Sequence, residues 1–219
     1  MADPTERSVL VEVQGATLRG DLLMPPGARG LVLFAHGSGS GRHSPRNRFV
    51  AAGLHEGGLA TLLIDLLTED EERVDQVTRQ HRFDIELLAQ RLAGAIGWLG
   101  EQGDSRELPV GLFGASTGAG AALIAATRRP DDVGAVVSRG GRPDLAGEAL
   151  ADVRAPTLLI VGERDPTVIE LNQQAERKLV AETRLEIVPA ASHLFEEPGA
   201  LELVIRLARD WFVAHLPRG

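Results

Sequence analysis

An apolar run in the middle of the chain leads directly into a serine that is flanked by glycines. The stretch 110–120 reads V-G-L-F-G-A-S-T-G-A-G, and small and aliphatic residues follow it at helical spacing, which predicts a strand, a sharp turn and a helix. In this context G-x-S-x-G is typical of a nucleophile elbow, where Gly114 and Gly118 remove side chains that would collide. We therefore predict that Ser116 is a nucleophile held at the edge of a sheet. The alternative is a glycine-rich turn that only permits close packing.

Apolar runs typical of strands alternate with helical patterns along the rest of the chain. Two alternating segments, 9–13 and 16–23, predict an N-terminal hairpin. The further runs that predict strands are 30–35, 60–65, 133–138, 156–162 and 184–188. The helical patterns lie at 47–55, 83–99, 168–180 and 201–216. This alternation predicts an α/β fold whose mostly parallel sheet has helices on both faces and functional groups at the carboxyl ends of its strands.

Composition limits the domain count, the compartment and the partners. The 219 residues, 43% of them hydrophobic, predict a single domain over 1–219. The chain has no cysteine, which excludes disulfides, thiolate metal sites and a cysteine nucleophile. Residues 1–8 lack the apolar core of a signal peptide and no run is long enough to span a bilayer, so we expect a cytoplasmic protein. The net charge of −8 argues against nucleic acid and anionic membranes as partners.

One stretch carries much of that negative charge. Residues 68–75 read T-E-D-E-E-R-V-D. Such a concentration of carboxylates usually lies in solvent. We expect a solvated loop or the exposed start of a helix there.

A serine hydroxyl is a weak nucleophile at neutral pH, so it needs a base, and the base needs an orienting acid. In a fold of this type both partners follow the serine along the chain, the acid first. Asp165 comes directly after the run that ends at 162, and His193 follows the last predicted strand. We predict that Asp165 is the orienting acid and His193 the general base. Glu163 is the competing carboxylate, and a helix N-cap is the alternative role of Asp165.

The oxyanion that develops during acyl transfer needs two hydrogen-bond donors. We predict that one is the backbone N–H of Thr117 and the other that of Ser38, in the H-G-S-G-S-G loop at 36–41. The alternative is a loop that grips phosphate. This loop lacks the G-K-[ST] ending of a P-loop and the G-x-G-x-x-G spacing of a dinucleotide site, which argues against nucleotide binding.

Four elements in this order resemble the α/β-hydrolase superfamily and, within it, the small dienelactone hydrolase-like group. They are H-G-S-G at His36, G-A-S-T-G at Ser116, G-E-R-D at Asp165 and A-S-H at His193. The resemblance covers nearly the whole chain and implies an α/β-hydrolase fold, an eight-stranded sheet and an acyl-enzyme mechanism. Dienelactone hydrolases proper have cysteine where this chain has Ser116, so ester or lactone cleavage is implied more strongly than a dienelactone substrate. The short connection 138–156 predicts an open site without a lid domain.

Two basic stretches, 41–48 and 138–144, fall on the predicted rim of the site. A guanidinium there can hold a carboxylate in bidentate fashion. We hypothesise that Arg46 or Arg139 binds the substrate and selects anionic esters or lactones. The alternative is structural pairing of these arginines with Asp65, Asp144 or Glu196.

The sequence as a whole predicts a serine hydrolase that cleaves small carboxylic esters or lactones through Ser116, His193 and Asp165, without a metal or cofactor. A thioesterase, an acyltransferase or a small peptidase would use the same triad. A non-catalytic binding protein on the same fold is the alternative from another class. Such a protein typically lacks a triad residue, whereas this chain has all three.

Overall fold

A single eight-stranded sheet with helices on both faces forms the centre of the molecule. The structure, a computed structural model, describes residues 5–216, so the predictions for 1–219 and for the N-terminal stretch 1–8 reach beyond the described residues. The strands are β1 (Thr5–Val13), β2 (Ala16–Met24), β3 (Gly30–Ala35), β4 (Leu59–Ile64), β5 (Val110–Ala115), β6 (Val133–Arg139), β7 (Thr157–Gly162) and β8 (Thr183–Val188). The helices are α1 (Pro45–His55), α2 (Glu69–Thr78), α3 (Ile85–Glu101), α4 (Thr117–Arg128), α5 (Pro166–Glu176) and α6 (Ala200–His215), with a 3-10 segment at Pro143–Asp152.

The strand order explains the unbroken apolar runs of the sequence. The order is β1-β2-β4-β3-β5-β6-β7-β8, with antiparallel pairing in β1/β2 and β2/β4 and parallel pairing from β4 to β8. Every residue of β3, β4, β5 and β7 is buried. One face of the sheet packs against α3 and α4, and the other packs against α1 and α6. The predicted mostly parallel, eight-stranded α/β architecture is confirmed.

The acidic stretch 68–75 is better ordered than its composition suggests. Its residues begin α2, where Thr68 and Glu71 form a capping box and four acidic residues in the first turn complement the helix dipole. Asp75 is fully buried. It accepts hydrogen bonds from the backbone N–H groups of His81 and Arg82 at 2.7 and 3.0 Å and pairs with the Arg82 guanidinium. The expectation of a solvated segment is therefore wrong for Asp75, because local partners compensate for its burial.

The parallel strands bring the predicted site residues to one edge of the sheet. The loops that follow β3, β5, β6, β7 and β8 all lie at the carboxyl ends of these strands. The connection 140–156 packs against α4 and α5 and adds no lid domain. Within residues 5–216, no helix combines the length and the apolar character needed to cross a membrane.

Candidate active site

The turn between β5 and α4 has the strained geometry of a nucleophile elbow. Ser116 has φ +51° and ψ −123°, a conformation that costs energy for any residue with a side chain. A Cβ at Gly114 would overlap with the Ala119 backbone, and one at Gly118 would overlap with the Ala35 carbonyl. Both glycines are therefore required for the turn to close. Because the two glycines allow the turn to close, Ser116 lies at its tip.

Neighbouring backbone holds the strained serine in place. Its N–H donates to the carbonyl of Arg139 at 3.3 Å, and its own carbonyl accepts from the N–H of Arg142 at 3.0 Å. Arg139 is the last residue of β6 and pairs in register with Ala115. Ser116 is thus hydrogen-bonded to the carboxyl end of β6 and directly precedes α4 as its N-cap residue.

Asp165 and His193 are hydrogen-bonded to each other. His193 Nδ1 lies 2.6 Å from Asp165 Oδ2, and the two side chains are 38% and 18% exposed. The other oxygen, Oδ1, accepts from the N–H of Val168 at 3.4 Å and caps α5. The two predicted roles of Asp165 therefore use different oxygens and coexist. Glu163, the competing carboxylate, instead accepts from the backbone N–H of Ala190 at 2.7 Å.

The loop that carries His193 is fixed from both sides. Glu197 accepts from the N–H and the hydroxyl of Ser192 at 3.0 and 3.2 Å, and the hydrogen bond from the Ser192 N–H holds the pKa of this carboxyl below its ordinary value. A Cβ at Gly140 would lie 3.6 Å from Cε1 of His193. The imidazole therefore lies against Gly140. The preceding residue, Arg139, accepts the hydrogen bond from the N–H of Ser116 at its carbonyl. The end of β6 is thus adjacent to both Ser116 and His193.

The loop after β3 lies against the first turn of α4. The N–H of Ser38 donates to Thr117 Oγ1 at 3.0 Å, and a Cβ at Gly37 would lie 3.1 Å from Cβ of Ser116. Thr117 is the first residue of α4, so its N–H is among the four that have no acceptor within the helix. The structure thus brings both predicted donors, Ser38 and Thr117, beside Ser116.

Sequence reasoning did not single out His36, which fixes this loop. The side chain is buried, its Nδ1–H donates to the Gly37 carbonyl at 3.0 Å, and its Nε2 accepts from the N–H of Leu66 at 3.0 Å. Burial lowers its pKa below the ordinary value of 6.5, which keeps the ring neutral. The available signal was its place at the end of β3, directly before the glycine-rich loop. Its partner Leu66, 30 residues away, was not predictable from the sequence.

The arginines of the two basic stretches differ in their partners. Four are paired: Arg42 with Asp65, Arg142 with Asp144, Arg46 with Glu196 at 3.4 Å, and Arg48 with Glu6 at 2.9 Å. Arg139 has no carboxylate partner among the ion pairs of the described residues. It is 8% exposed, so its predicted place on an open rim is wrong. The cause is its position at the end of a central strand, next to Asn47 in the first turn of α1 and to Phe195 in the loop after β8.

These groups form an arrangement suited to acyl transfer. The Asp165 hydrogen bond puts the imidazole proton on Nδ1 and leaves Nε2 of His193 free to accept a proton. The elbow presents a hydroxyl, and the start of α4 presents backbone donors. In the described part of the chain, no three acidic, histidine or cysteine side chains are grouped so that they could hold a metal ion.

Comparison with known proteins connects this geometry to a family. A family model described as an alpha/beta hydrolase domain matches residues 28–203. A dienelactone hydrolase from Anabaena variabilis ATCC 29413 is 60% identical, with a TM-score of 0.96 over 97% of this chain and 99% of that one. Est1E from Butyrivibrio proteoclasticus has the same fold, with a TM-score of 0.78 at 15% identity over 95% of this chain and 98% of that one.

Two curated relatives are named as transferases rather than as hydrolases. They come from Mycobacterium tuberculosis strains H37Rv and CDC 1551, are provisionally named phosphoribosyl transferases, and are 58% identical over 98% of this chain. The match covers 48% of each, so the chain spans about half the length of these relatives. The Anabaena structure, in contrast, matches this chain over nearly the whole length of both, and the family model matches most of this chain. The resemblance to dienelactone hydrolases is confirmed, and the chain belongs to the alpha/beta hydrolase domain family.

Proposed function

We propose that this chain is a serine hydrolase that cleaves carboxylic esters or lactones of small substrates. The observation that carries the proposal is the 2.6 Å hydrogen bond between His193 and Asp165, at the sheet edge where the elbow presents Ser116. A histidine with a fixed tautomer beside a strained serine turn is the arrangement that activates a hydroxyl. The proposed domain includes the whole chain, and the proposed compartment is the cytoplasm.

In the first half of the reaction, His193 Nε2 takes the hydroxyl proton as Ser116 Oγ attacks the ester carbonyl carbon. The N–H groups of Thr117 and Ser38 stabilise the oxyanion, and the Ser38 N–H exchanges its hydrogen bond to Thr117 Oγ1 for one to the oxyanion. The carbonyl re-forms, the C–O bond to the alcohol breaks, and the imidazolium gives its proton to the leaving oxygen. Asp165 stabilises the imidazolium throughout without becoming protonated.

The second half of the reaction releases the acid. Water gives a proton to His193 Nε2 and attacks the acyl carbon, and the Ser116 ester oxygen leaves with the proton returned by the imidazolium. The products are the acid and the free hydroxyl of Ser116. A lactone follows the same two steps, except that its alcohol remains attached to the acyl group.

Other reactions of the same triad remain separable by experiment. A thioesterase, an acyltransferase or a small peptidase differs in the leaving group or the acceptor, so product analysis with added thioesters, alcohols and amides identifies each. For the mycobacterial relatives, we infer that the transferase name describes the half outside the match, because the matched half is an alpha/beta hydrolase domain. Release of diphosphate from phosphoribosyl diphosphate by this chain alone would contradict that inference.

Labelling with a fluorophosphonate probe tests the proposal directly. The expected result is one adduct on Ser116, found by intact mass and peptide mapping and abolished by Ser116→Ala and His193→Ala. Hydrolysis of short acyl esters or lactones should be lost in the same variants. A folded protein that forms no adduct would contradict an assembled triad and favour the binding-protein alternative.

A further inference from the structure

Strand β8 is the last strand of the sheet, and within residues 5–216 no strand pairs with its outer side. At both ends of β8, even-numbered residues bond to the β7 side. The N–H of Thr157 donates to the Glu182 carbonyl at 2.8 Å, and the N–H of Glu163 donates to the Val188 carbonyl at 3.0 Å. In a parallel pair, alternate residues of a strand direct both N–H and C=O to the same neighbour. The backbone groups that point outward are therefore those of Thr183, Leu185 and Ile187.

This edge lacks the features that normally keep a strand edge from pairing. Proteins protect such edges with proline, with bulges or with unpaired charges. Strand β8 contains no proline, and it pairs with β7 without a shift in register. Its two charged residues, Arg184 and Glu186, pair with each other, and Ile187 is 42% exposed. The outer side of β8 is therefore free to accept a further strand.

The sequence of β8 is complementary to itself under two-fold symmetry. If two antiparallel copies are related by an axis through Leu185, Arg184 of each copy lies opposite Glu186 of the other. Opposite residues project from the same face of the sheet, so two ion pairs form on one face. The outward-facing residues Thr183, Leu185 and Ile187 of both copies form an apolar ridge on the other face. Outward-facing residues are also the ones that form the hydrogen-bonded pairs of an antiparallel ladder, so this register satisfies the free backbone groups of β8.

The opposite edge of the sheet, β1, does not have this property. A two-fold axis places opposite each other only residues that are an even number of positions apart. Arg7 is one position from Glu6 and five from Glu12, so no such register pairs it with either carboxylate. An axis through Val9 would instead place Glu6 opposite Glu12, and like charges in opposite positions are destabilising. Charge complementarity therefore favours pairing at β8 alone.

We propose that a second copy of this chain pairs with β8 across this axis, forming a symmetric dimer in which the two eight-stranded sheets become one continuous sheet. Val180, which precedes β8 and is 79% exposed, then lies next to the end of β8 in the second copy. The parallel strands of the two copies run in opposite directions, so the two candidate active sites open at opposite edges of the joined sheet. Dimer formation does not depend on the proposed hydrolysis.

Charge reversal tests the interface and its register by sedimentation velocity. The unsubstituted chain should sediment with twice the mass of one chain. Arg184→Glu alone, or Glu186→Arg alone, places like charges opposite each other at both pairs and should weaken self-association roughly 10- to 100-fold. These two variant chains are complementary to each other, so an equimolar mixture should form a heterodimer, and the double variant should dimerise again. Arg7→Glu, which reverses a charge on β1 that pairs with Asp104, is the control and should leave the dimer unchanged.

Cross-linking tests the position of the axis. The chain has no cysteine, so Leu185→Cys introduces a single thiol that lies opposite its own copy. The Cα atoms of a hydrogen-bonded antiparallel pair are about 5.5 Å apart, a separation that a disulfide can span. Oxidation should therefore give a covalent dimer, whereas Leu10→Cys, at an exposed position on β1, should stay monomeric in a denaturing gel.

Two results would overturn the proposal. One is an unsubstituted chain that remains monomeric at every concentration. The other is a dimer that both single charge reversals leave intact, because its interface would then lie elsewhere on the molecule. Arg184 is exposed and Glu186 half-buried, so these variants should fold and decide the matter even if Leu185→Cys does not fold.

Discussion

Replacing Arg139 by methionine should stabilise the protein. Burial lowers the pKa of this group from its ordinary value to about 10, so the folded environment disfavours the charged guanidinium by about 3 kcal/mol relative to solvent. The lowered pKa means that the cost is fully present below pH 10, where folded and unfolded chains both carry the proton, and is relieved only as the pH rises above 10. Methionine has a similar length and no charge, so it removes this cost.

Some favourable contacts are lost in the same substitution. The hydrogen bond to Asn47 is at the distance limit and contributes little, while the contact with the Phe195 ring contributes about 0.5 to 2 kcal/mol. We therefore expect a net gain of about 1 to 3 kcal/mol in the free energy of unfolding. For a chain of this length, this corresponds to a rise of roughly 2 to 10 °C in Tm.

Differential scanning calorimetry and urea unfolding at pH 7.5 measure the effect. Arg91→Met is the matched control, because Arg91 is equally buried but pairs with Glu71 at 2.7 Å, and its loss should lower Tm. A lower Tm in Arg139→Met than in the unsubstituted protein would refute the reasoning that the guanidinium is an uncompensated charge.

Three further predictions concern the site and the elements that hold it. Asp165→Asn should keep the α5 cap, because asparagine is an equally good N-cap, yet lower kcat by about 10³- to 10⁴-fold; a loss below tenfold in steady-state kinetics would contradict its orienting role. The pKa of His36 is lower in the folded chain than in the unfolded chain, so the unfolded chain takes up a proton first as the pH falls. The free energy of unfolding should therefore decrease below pH 6.5 by up to about 1.4 kcal/mol per pH unit. Urea titrations between pH 7.5 and 5.5 should show a smaller decrease for His36→Gln than for the unsubstituted protein. Gly118→Ala should prevent folding or abolish probe labelling, because its Cβ would overlap with the Ala35 carbonyl. Gly100→Ala is the control: the new Cβ has open space on α3 and should add roughly 0.5 to 1 kcal/mol to the free energy of unfolding. Equal unfolding curves for the two variants would contradict the steric explanation.

The sequence predicted those parts of the molecule whose physical cause is local. An apolar run buried on both faces specifies a central strand by itself, which is why the bounds of β3 were predicted without error. The elbow was recognisable because the steric requirement at Gly114 and Gly118 acts within four residues of chain. The capping box of α2, formed by Thr68 and Glu71, is equally local, and of the two expectations for this stretch the start of a helix is confirmed.

The parts that the sequence did not predict depend on partners far along the chain. The sequence favoured Asp165 over Glu163 but did not predict their contacts. Both carboxylates contact the loop after β8, Glu163 at the N–H of Ala190 and Asp165 at Nδ1 of His193. The clamp made by His36 requires the N–H of Leu66. No local sequence pattern predicts these contacts, because strand order and loop packing bring the partners together.

Two arginines from the same basic stretch show where this limit matters for stability. Arg142 has Asp144 two residues away, so its counter-charge is part of the local sequence and follows it wherever the chain goes. Arg139 has no such neighbour, and the fold buries it at the end of β6 without supplying one. Its charge is therefore uncompensated in a low-dielectric environment, which is why Arg139→Met is expected to stabilise the folded chain, whereas Arg91→Met, which breaks a buried pair, is expected to destabilise it.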